Sequence, residues 1–131
     1  MNMMVYISGP LQSASDLSRA RAFYERLANE CIALGWQAYL PHKSTDPILH
    51  REAAPRLVFE RDYNMLRASQ VMVADIGEAS SGVGAELAIA LANHIQVIAL
   101  HSVDNRPSRF ITGMLEASGV RIDQYREESE A

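Results

Sequence analysis

Two apolar patterns alternate along the chain. Short, nearly continuous apolar runs occur at residues 3–7, 36–40, 70–75, 96–100 and 120–122. Each is too short for a helix and rich in strand formers, and turn residues such as Ser8-Gly9-Pro10 and Pro41 punctuate them. Between them the apolar positions recur at helical spacing. From 16 to 34 they are Leu17, Ala20, Phe23, Tyr24, Leu27, Ala28, Cys31 and Leu34, with Ser15 placed to cap the start and Gly35 to end the helix. Further helices are expected at 49–68, interrupted near Pro55, at 83–94 and at 107–118. Strand and helix therefore alternate from the outset, the signature of α/β architecture with a parallel sheet. The expected fold is one doubly wound, five-stranded parallel sheet, flavodoxin-like or Rossmann-like, in order 2-1-3-4-5. Helices cover both faces, and a ligand crevice lies above strands one and three. Residues 1–123 form this single domain, and 124–131 read as an acidic, flexible tail.

The helix at 83–94 is almost uncharged after Glu86: Leu87, Ala88, Ile89, Ala90, Leu91 and Ala92 follow in succession. A helix apolar nearly all round is buried on more than one side, which in a chain of 131 residues suggests a subunit face as well as the sheet. The net charge of −4 comes mostly from 123–131, which carries −3, so no basic groove for a nucleic-acid polymer is expected. No run approaches the roughly 20 apolar residues that span a bilayer, and no signal peptide precedes the first strand, so the expected location is the cytoplasm. The single Cys31 excludes an intrachain disulfide and reads as a packing residue.

Candidate chemistry gathers at 73–90, VADIGEASSGVGAELAIA. Gly82 and Gly84 at a strand-to-helix junction let the backbone approach a ligand, and the amides of the first turn favour an anion. Ser80 and Ser81 add hydroxyls to that cradle. Glu86 reads as a first-turn carboxylate. With Asp75 at the end of the preceding strand and Asp62 late in the preceding helix, it forms the kind of set that divides acid and nucleophile roles at a glycosidic bond. No His stands at ligand spacing with these carboxylates, so no metal is expected. Gly82-Val83-Gly84 lacks the Lys-Ser/Thr ending of a triphosphate loop and follows the third strand, which argues against ATP and dinucleotides. Ser8 and Gly9, at the tip of strand one, supply a second patch of amides beside this turn, and Tyr6 precedes them. His42 lies in the long ligand-side loop at 42–48. The histidines have no nearby Ser or Cys elbow. Ser108, between Arg106 and Arg109, belongs to a basic-polar loop that could neutralise a phosphate or simply be solvated.

Three blocks in order resemble the nucleoside 2-deoxyribosyltransferase superfamily: Val5-Tyr6-Ile7-Ser8-Gly9-Pro10, then Asp62 with LRASQVMVAD at 66–75, then SSGVGAEL at 80–87. Within it the pattern is most similar to the 2'-deoxynucleoside 5'-monophosphate N-glycosidase branch. That resemblance implies Glu86 as the nucleophile at C1', Asp62 as the carboxylate that helps protonate the leaving base, and Tyr6 beside the sugar. It gives Asp75 an acidic role of less defined kind. Ser80 and Gly82 match phosphate-contacting positions, flanked by Ser8 and Gly9. Ser108 matches a serine that reaches the phosphate from the partner subunit, which implies a homodimer with composite sites and leaves open further pairing to a tetramer. Ser80 stands where transferases acting on unphosphorylated nucleosides carry Asp. A serine can donate a hydrogen bond to a 5'-phosphate that an Asp would repel. Ala85 and Ala88 depart from the family pattern, which otherwise has a bulkier residue before the Glu and a Gly after Glu-Leu. The implied activity is hydrolysis of a (2'-deoxy)nucleoside 5'-monophosphate to free base and sugar phosphate, without a cofactor. The alternatives are base exchange between nucleosides, CMP-type ribonucleotide hydrolysis, and nucleotide binding without catalysis.

Overall fold

In the computed structural model, residues 3–10, 17–41 and 54–126 are described. They form strands β1 (Met4–Ser8), β2 (Gln37–Tyr39), β3 (Val71–Asp75), β4 (Gln96–Ser102) and β5 (Ile122–Tyr125), and helices α1 (Leu17–Ala33), α2 (Pro55–Arg67), α3 (Ser81–Ala92) and α4 (Arg109–Ala117). All strand pairs are parallel, in the order β2-β1-β3-β4-β5. The expected architecture is thus the observed one. β1 lies between β2 and β3, so the order reverses there and a crevice opens at the carboxyl ends of these strands.

Strand alternation divides the core in two. Val5 and Ile7 of β1 and Val71 of β3 face α1 and pack with Tyr24, Ala28 and Leu40. Tyr6 of β1 and Met72 and Ala74 of β3 face the other way, where Leu66 of α2, Val83, Leu87 and Ala90 of α3 and Leu115 of α4 close over them. The single described helix on the first side lies against β1 and β2. Ile98 of β4, on that same side, is accordingly exposed.

Three helices end the same way. At Gly35 and Gly119 the backbone turns left-handed, and the following amide, of Trp36 or Val120, reaches back five residues to Cys31 or Leu115. α3 closes likewise, with Ile95 bonding Ala90, but the left-handed residue is His94, at φ 58°. Capping also accounts for where elements depart from the sequence expectation. Ser80 accepts a hydrogen bond from the Val83 amide, so α3 begins at Ser81, two residues early. Pro55 opens α2, where its missing N–H costs nothing, and the part of the expected helix before it, 49–53, lies outside the described residues. Val120 is spent on the cap of α4, so β5 starts at Ile122 and runs to Tyr125. Gln124 and Tyr125, expected in the tail, pair with His101 and Ser102, which extend β4 beyond its expected end.

Candidate active site

Glu86 lies in the second turn of α3, because the helix starts at Ser81 rather than at Val83. Val83, one turn before it, and Ala90, one turn after, are both buried, so Glu86 shares the inward side of the helix and meets the carboxyl end of β1. There both carboxylate oxygens are held: Tyr6 donates its phenol proton to Oε2, and Ser8 Oγ donates to Oε1 at 2.6 Å. Tyr6 and Ser8 are two residues apart on one strand and so share a face. Both are buried, with Tyr6 wholly so. Burial pushes the Glu86 carboxyl above its ordinary range, the two hydroxyl donors pull it down, and the nearby Asp62 charge pushes it up again. The Tyr6 phenol is driven far up, first by burial and then by the Glu86 and Asp62 charges, so it stays protonated as a donor.

Asp62 comes from α2. It lies one turn before the buried Leu66, which aims it at the sheet. Its Oδ1 accepts from the phenol of Tyr39 at 2.7 Å. Tyr39 is the register partner of Tyr6 across β1 and β2, and the two rings stand 5.4 Å apart between centroids. Sequence reasoning did not single out Tyr39. The signal was available in the combination of strand order and alternation, which sets β2 beside β1 with a tyrosine opposite Tyr6.

Ser80, Ser81, Gly82 and Gly84 stand at the opening of α3, ahead of Glu86. Neither glycine has a left-handed backbone. A Cβ on Gly82 would meet only Ser80 Oγ, at 3.9 Å, and one on Gly84 only Ile111 Cδ1, at 3.6 Å. Their smallness is thus not demanded by the protein's own packing at Gly82, and only lightly at Gly84. Gly9 is different: a Cβ there would fall 2.1 Å from Cζ and 2.3 Å from the hydroxyl oxygen of Tyr24, so the glycine is required by that side chain.

Asp75 does not join the Glu86 cluster. It shares the face of Val71 and Val73, towards α1, whereas Tyr6 and Ser8 face α3. Its Oδ2 accepts from Tyr24 of α1 at 3.1 Å and from Tyr125 of β5 at 3.0 Å, and its Oδ1 from the Gly77 amide at 3.1 Å. Burial raises this carboxyl, while the three donors oppose the rise. The group reads as a brace between α1, β3 and β5. Ser108 caps α4, accepting from the Ile111 amide at 3.3 Å, and is exposed. His42 lies outside the described residues. Among the described residues no group of three or more His, Cys, Asp or Glu side chains is placed to hold a metal ion. No described helix is long and apolar enough to cross a membrane.

The apolar run behind Glu86 is used largely within the chain: Leu87 and Ala90 are buried, and Ile89 and Leu91 pack against the same core. Large exposed apolar side chains stand elsewhere, at Leu57 and Phe59 on α2 and at Phe110 near the start of α4, where exposure reaches 80%.

Comparison with known proteins bears on the family and the fold. A protein of Thermofilum pendens, provisionally named 2'-deoxynucleoside 5'-phosphate N-hydrolase 1, is 34% identical over 99 residues, covering 75% of this chain and 67% of that one. A protein of Methanococcoides burtonii with the same provisional name is 26% identical over 114 residues, covering 85% and 90%. Among solved structures, the CMP N-glycosidase of Clostridium botulinum superposes with a TM-score of 0.71 at 20% identity, over 97% of this chain and 92% of its own. A 2-deoxyribosyltransferase from Leishmania mexicana gives 0.61 at 20% identity, over 90% and 72%. These two likenesses speak for the fold. The family model for nucleoside 2-deoxyribosyltransferase matches residues 5–127. The match takes in all five strands and the Tyr6, Ser8, Asp62 and Glu86 cluster, and the chain belongs to the nucleoside 2-deoxyribosyltransferase family of enzymes.

Proposed function

We propose that the protein hydrolyses the N-glycosidic bond of (2'-deoxy)nucleoside 5'-monophosphates, releasing the free base and the sugar 5-phosphate. The observation that carries this reading is the Glu86 carboxylate, held on both oxygens by Tyr6 and Ser8 directly behind a helix opening built from serines and glycines. The 5'-phosphate sits against that opening, where the helix's first amides and the Ser80 hydroxyl meet its charge. Ser80 already accepts from Val83 at 3.2 Å, and a serine hydroxyl can still donate its proton while doing so. The names of the sequence relatives support a phosphorylated substrate.

Glu86 attacks C1' as the C1'–N bond breaks, and the bonding pair leaves with the base, which takes a proton from Asp62. Water then attacks C1' of the glycosyl ester, Glu86 departs as carboxylate, and Asp62 recovers a proton from that water. Tyr6 and Ser8 hold Glu86 in place through both steps. Asp75, braced on the opposite face, has no part in bond cleavage. The same reading makes the chain a homodimer in which Ser108 of the partner subunit reaches the phosphate. Light scattering that finds only a monomer at working concentration would remove that part.

The deciding experiment incubates the protein with nucleosides, deoxynucleosides and their 5'-monophosphates and scores free base. Release confined to monophosphates supports the reading. Comparison of CMP with dCMP assigns the sugar, and an added second base detects exchange. Glu86→Ala should keep less than a few per cent of wild-type turnover. Base release from unphosphorylated nucleosides alone, or an active Glu86→Ala, would overturn it.

A further inference from the structure

Tyr39 has no part in the chemistry described so far, yet its place in the fold is specific. It is paired in register with Tyr6 on adjacent parallel strands, so the two side chains leave the sheet on the same face. Their rings pack at 5.4 Å with an interplanar angle of 33°. From there the phenols diverge to two helices: Tyr6 reaches Glu86 on α3, and Tyr39 reaches Asp62 on α2. Each of two carboxylates carried by separate helices is thus tied to a phenol on the sheet, and the β1–β2 ladder locks the two phenols to one another.

We propose that Tyr39 is the positioning residue for Asp62, holding Oδ1 so that the acid proton is carried on Oδ2 and delivered to the leaving base. The assignment rests on the role given to Asp62 in the functional reading above. A neutral carboxyl has one carbonyl oxygen that accepts and one hydroxyl that donates. A phenol donating to Oδ1 makes that atom the carbonyl and places the proton on Oδ2. When Asp62 gives up its proton the Tyr39 hydrogen bond acquires a charged acceptor and strengthens. Tyr39 therefore favours the state in which the base has been protonated over the state in which it has not. That is stabilisation of the transition state rather than of bound substrate. The paired rings also fix the separation of acid and nucleophile across the sugar, a distance to which reactions of this type are sensitive.

Tyr39→Phe keeps the ring and removes the donor. With a deoxynucleoside 5'-monophosphate, kcat should fall roughly 10- to 100-fold, within the range that general acid catalysis supplies, while KM stays within about twofold. With 4-nitrophenyl 2-deoxyribose 5-phosphate, whose nitrophenolate departs without a proton, kcat/KM, which ends at the first bond cleavage and so leaves out the water step in which Asp62 is the base, should stay within about twofold of wild type. Asp62→Asn should show the same split between substrates, and the double variant should be no worse than Asp62→Asn alone. Equal losses on both substrates, or additive losses in the double variant, would overturn the assignment by making Tyr39 a packing residue. An active wild type with an unimpaired Tyr39→Phe overturns it and leaves the functional reading standing. A wild type that releases no base from any nucleotide overturns both.

Discussion

Tyr6→Phe isolates a single hydrogen bond at the proposed nucleophile. The ring stays in its buried seat against Tyr39, and only the donor to Glu86 Oε2 is lost. A hydrogen bond to a charged group is worth about 1.5–3 kcal/mol. Ser8 still holds Oε1, but burial, the dominant influence on this carboxyl, is now opposed by one donor instead of two. The Glu86 carboxyl, already raised in the native protein, must rise further. The kinetic consequence is sharpest on the acid side, where the fraction of ionised Glu86 limits the rate. There kcat/KM should fall roughly 10- to 150-fold, the same 1.5–3 kcal/mol expressed as a rate ratio, and the two profiles should converge at high pH. Stability carries a matching signature. A carboxyl whose folded value is raised above its unfolded value contributes stability below the unfolded value, and loses it as pH rises through the folded one. The variant's deficit should therefore be full at pH 8 and shrink as pH falls through its own raised value. Paired pH–rate profiles and urea titrations at several pH values read both effects. An acid limb that does not move, together with a stability difference independent of pH, would refute the reasoning and reduce Tyr6 to packing.

Three further substitutions separate packing from ligand contact. Gly9→Ala drives a methyl into the ring of Tyr24, which cannot turn aside without leaving Asp75, so denaturation should show a loss of about 3 kcal/mol or more. Gly82→Ala meets only Ser80 Oγ at 3.9 Å and should leave stability unchanged or raise it by about 0.5–1 kcal/mol. If the phosphate rests on this turn, the same variant should raise KM for a monophosphate at least several-fold, and an unaltered KM would place the phosphate elsewhere. His94→Gly relieves a left-handed non-glycine residue, and a melting curve should move up by about 2–5 °C, for a gain of about 0.5–1 kcal/mol.

Much of this molecule could be read without coordinates, because apolar periodicity and punctuation residues carry the strand–helix alternation and hence the sheet order. The cluster of Tyr6, Ser8, Asp62 and Glu86 was legible because it falls within the three blocks that carry the family resemblance. What escaped depended on which way a side chain points. Asp75 looked like a partner for Glu86 because it ends the strand before it, yet alternation from Val71 and Val73 sends it to the opposite face. Gly9 looked like part of an amide patch beside the ligand, and only the Tyr24 ring behind it reveals the packing constraint. Tyr39 was not singled out, since a tyrosine in a short strand ordinarily belongs to the core. The start of α3 and the start of β5 were each displaced by a cap, Ser80 in one case and the Val120 amide in the other, a competition that hydrophobic pattern does not register.

The Asp75 brace joins segments that the chain keeps far apart, since its two tyrosine contacts span 51 and 50 residues of sequence. β5 is the outermost strand on one side of the sheet, while α1 packs over β1 and β2 towards the other. Nothing in the ladder would require them to open together. Yet releasing Tyr125 strips a donor from a buried carboxylate that Tyr24 also serves, and the stack of Phe23 on Tyr125, at 4.5 Å, is lost in the same event. Amide exchange should accordingly report α1 and β5 as one cooperative unit, with protection that rises and falls in concert across the width of the domain.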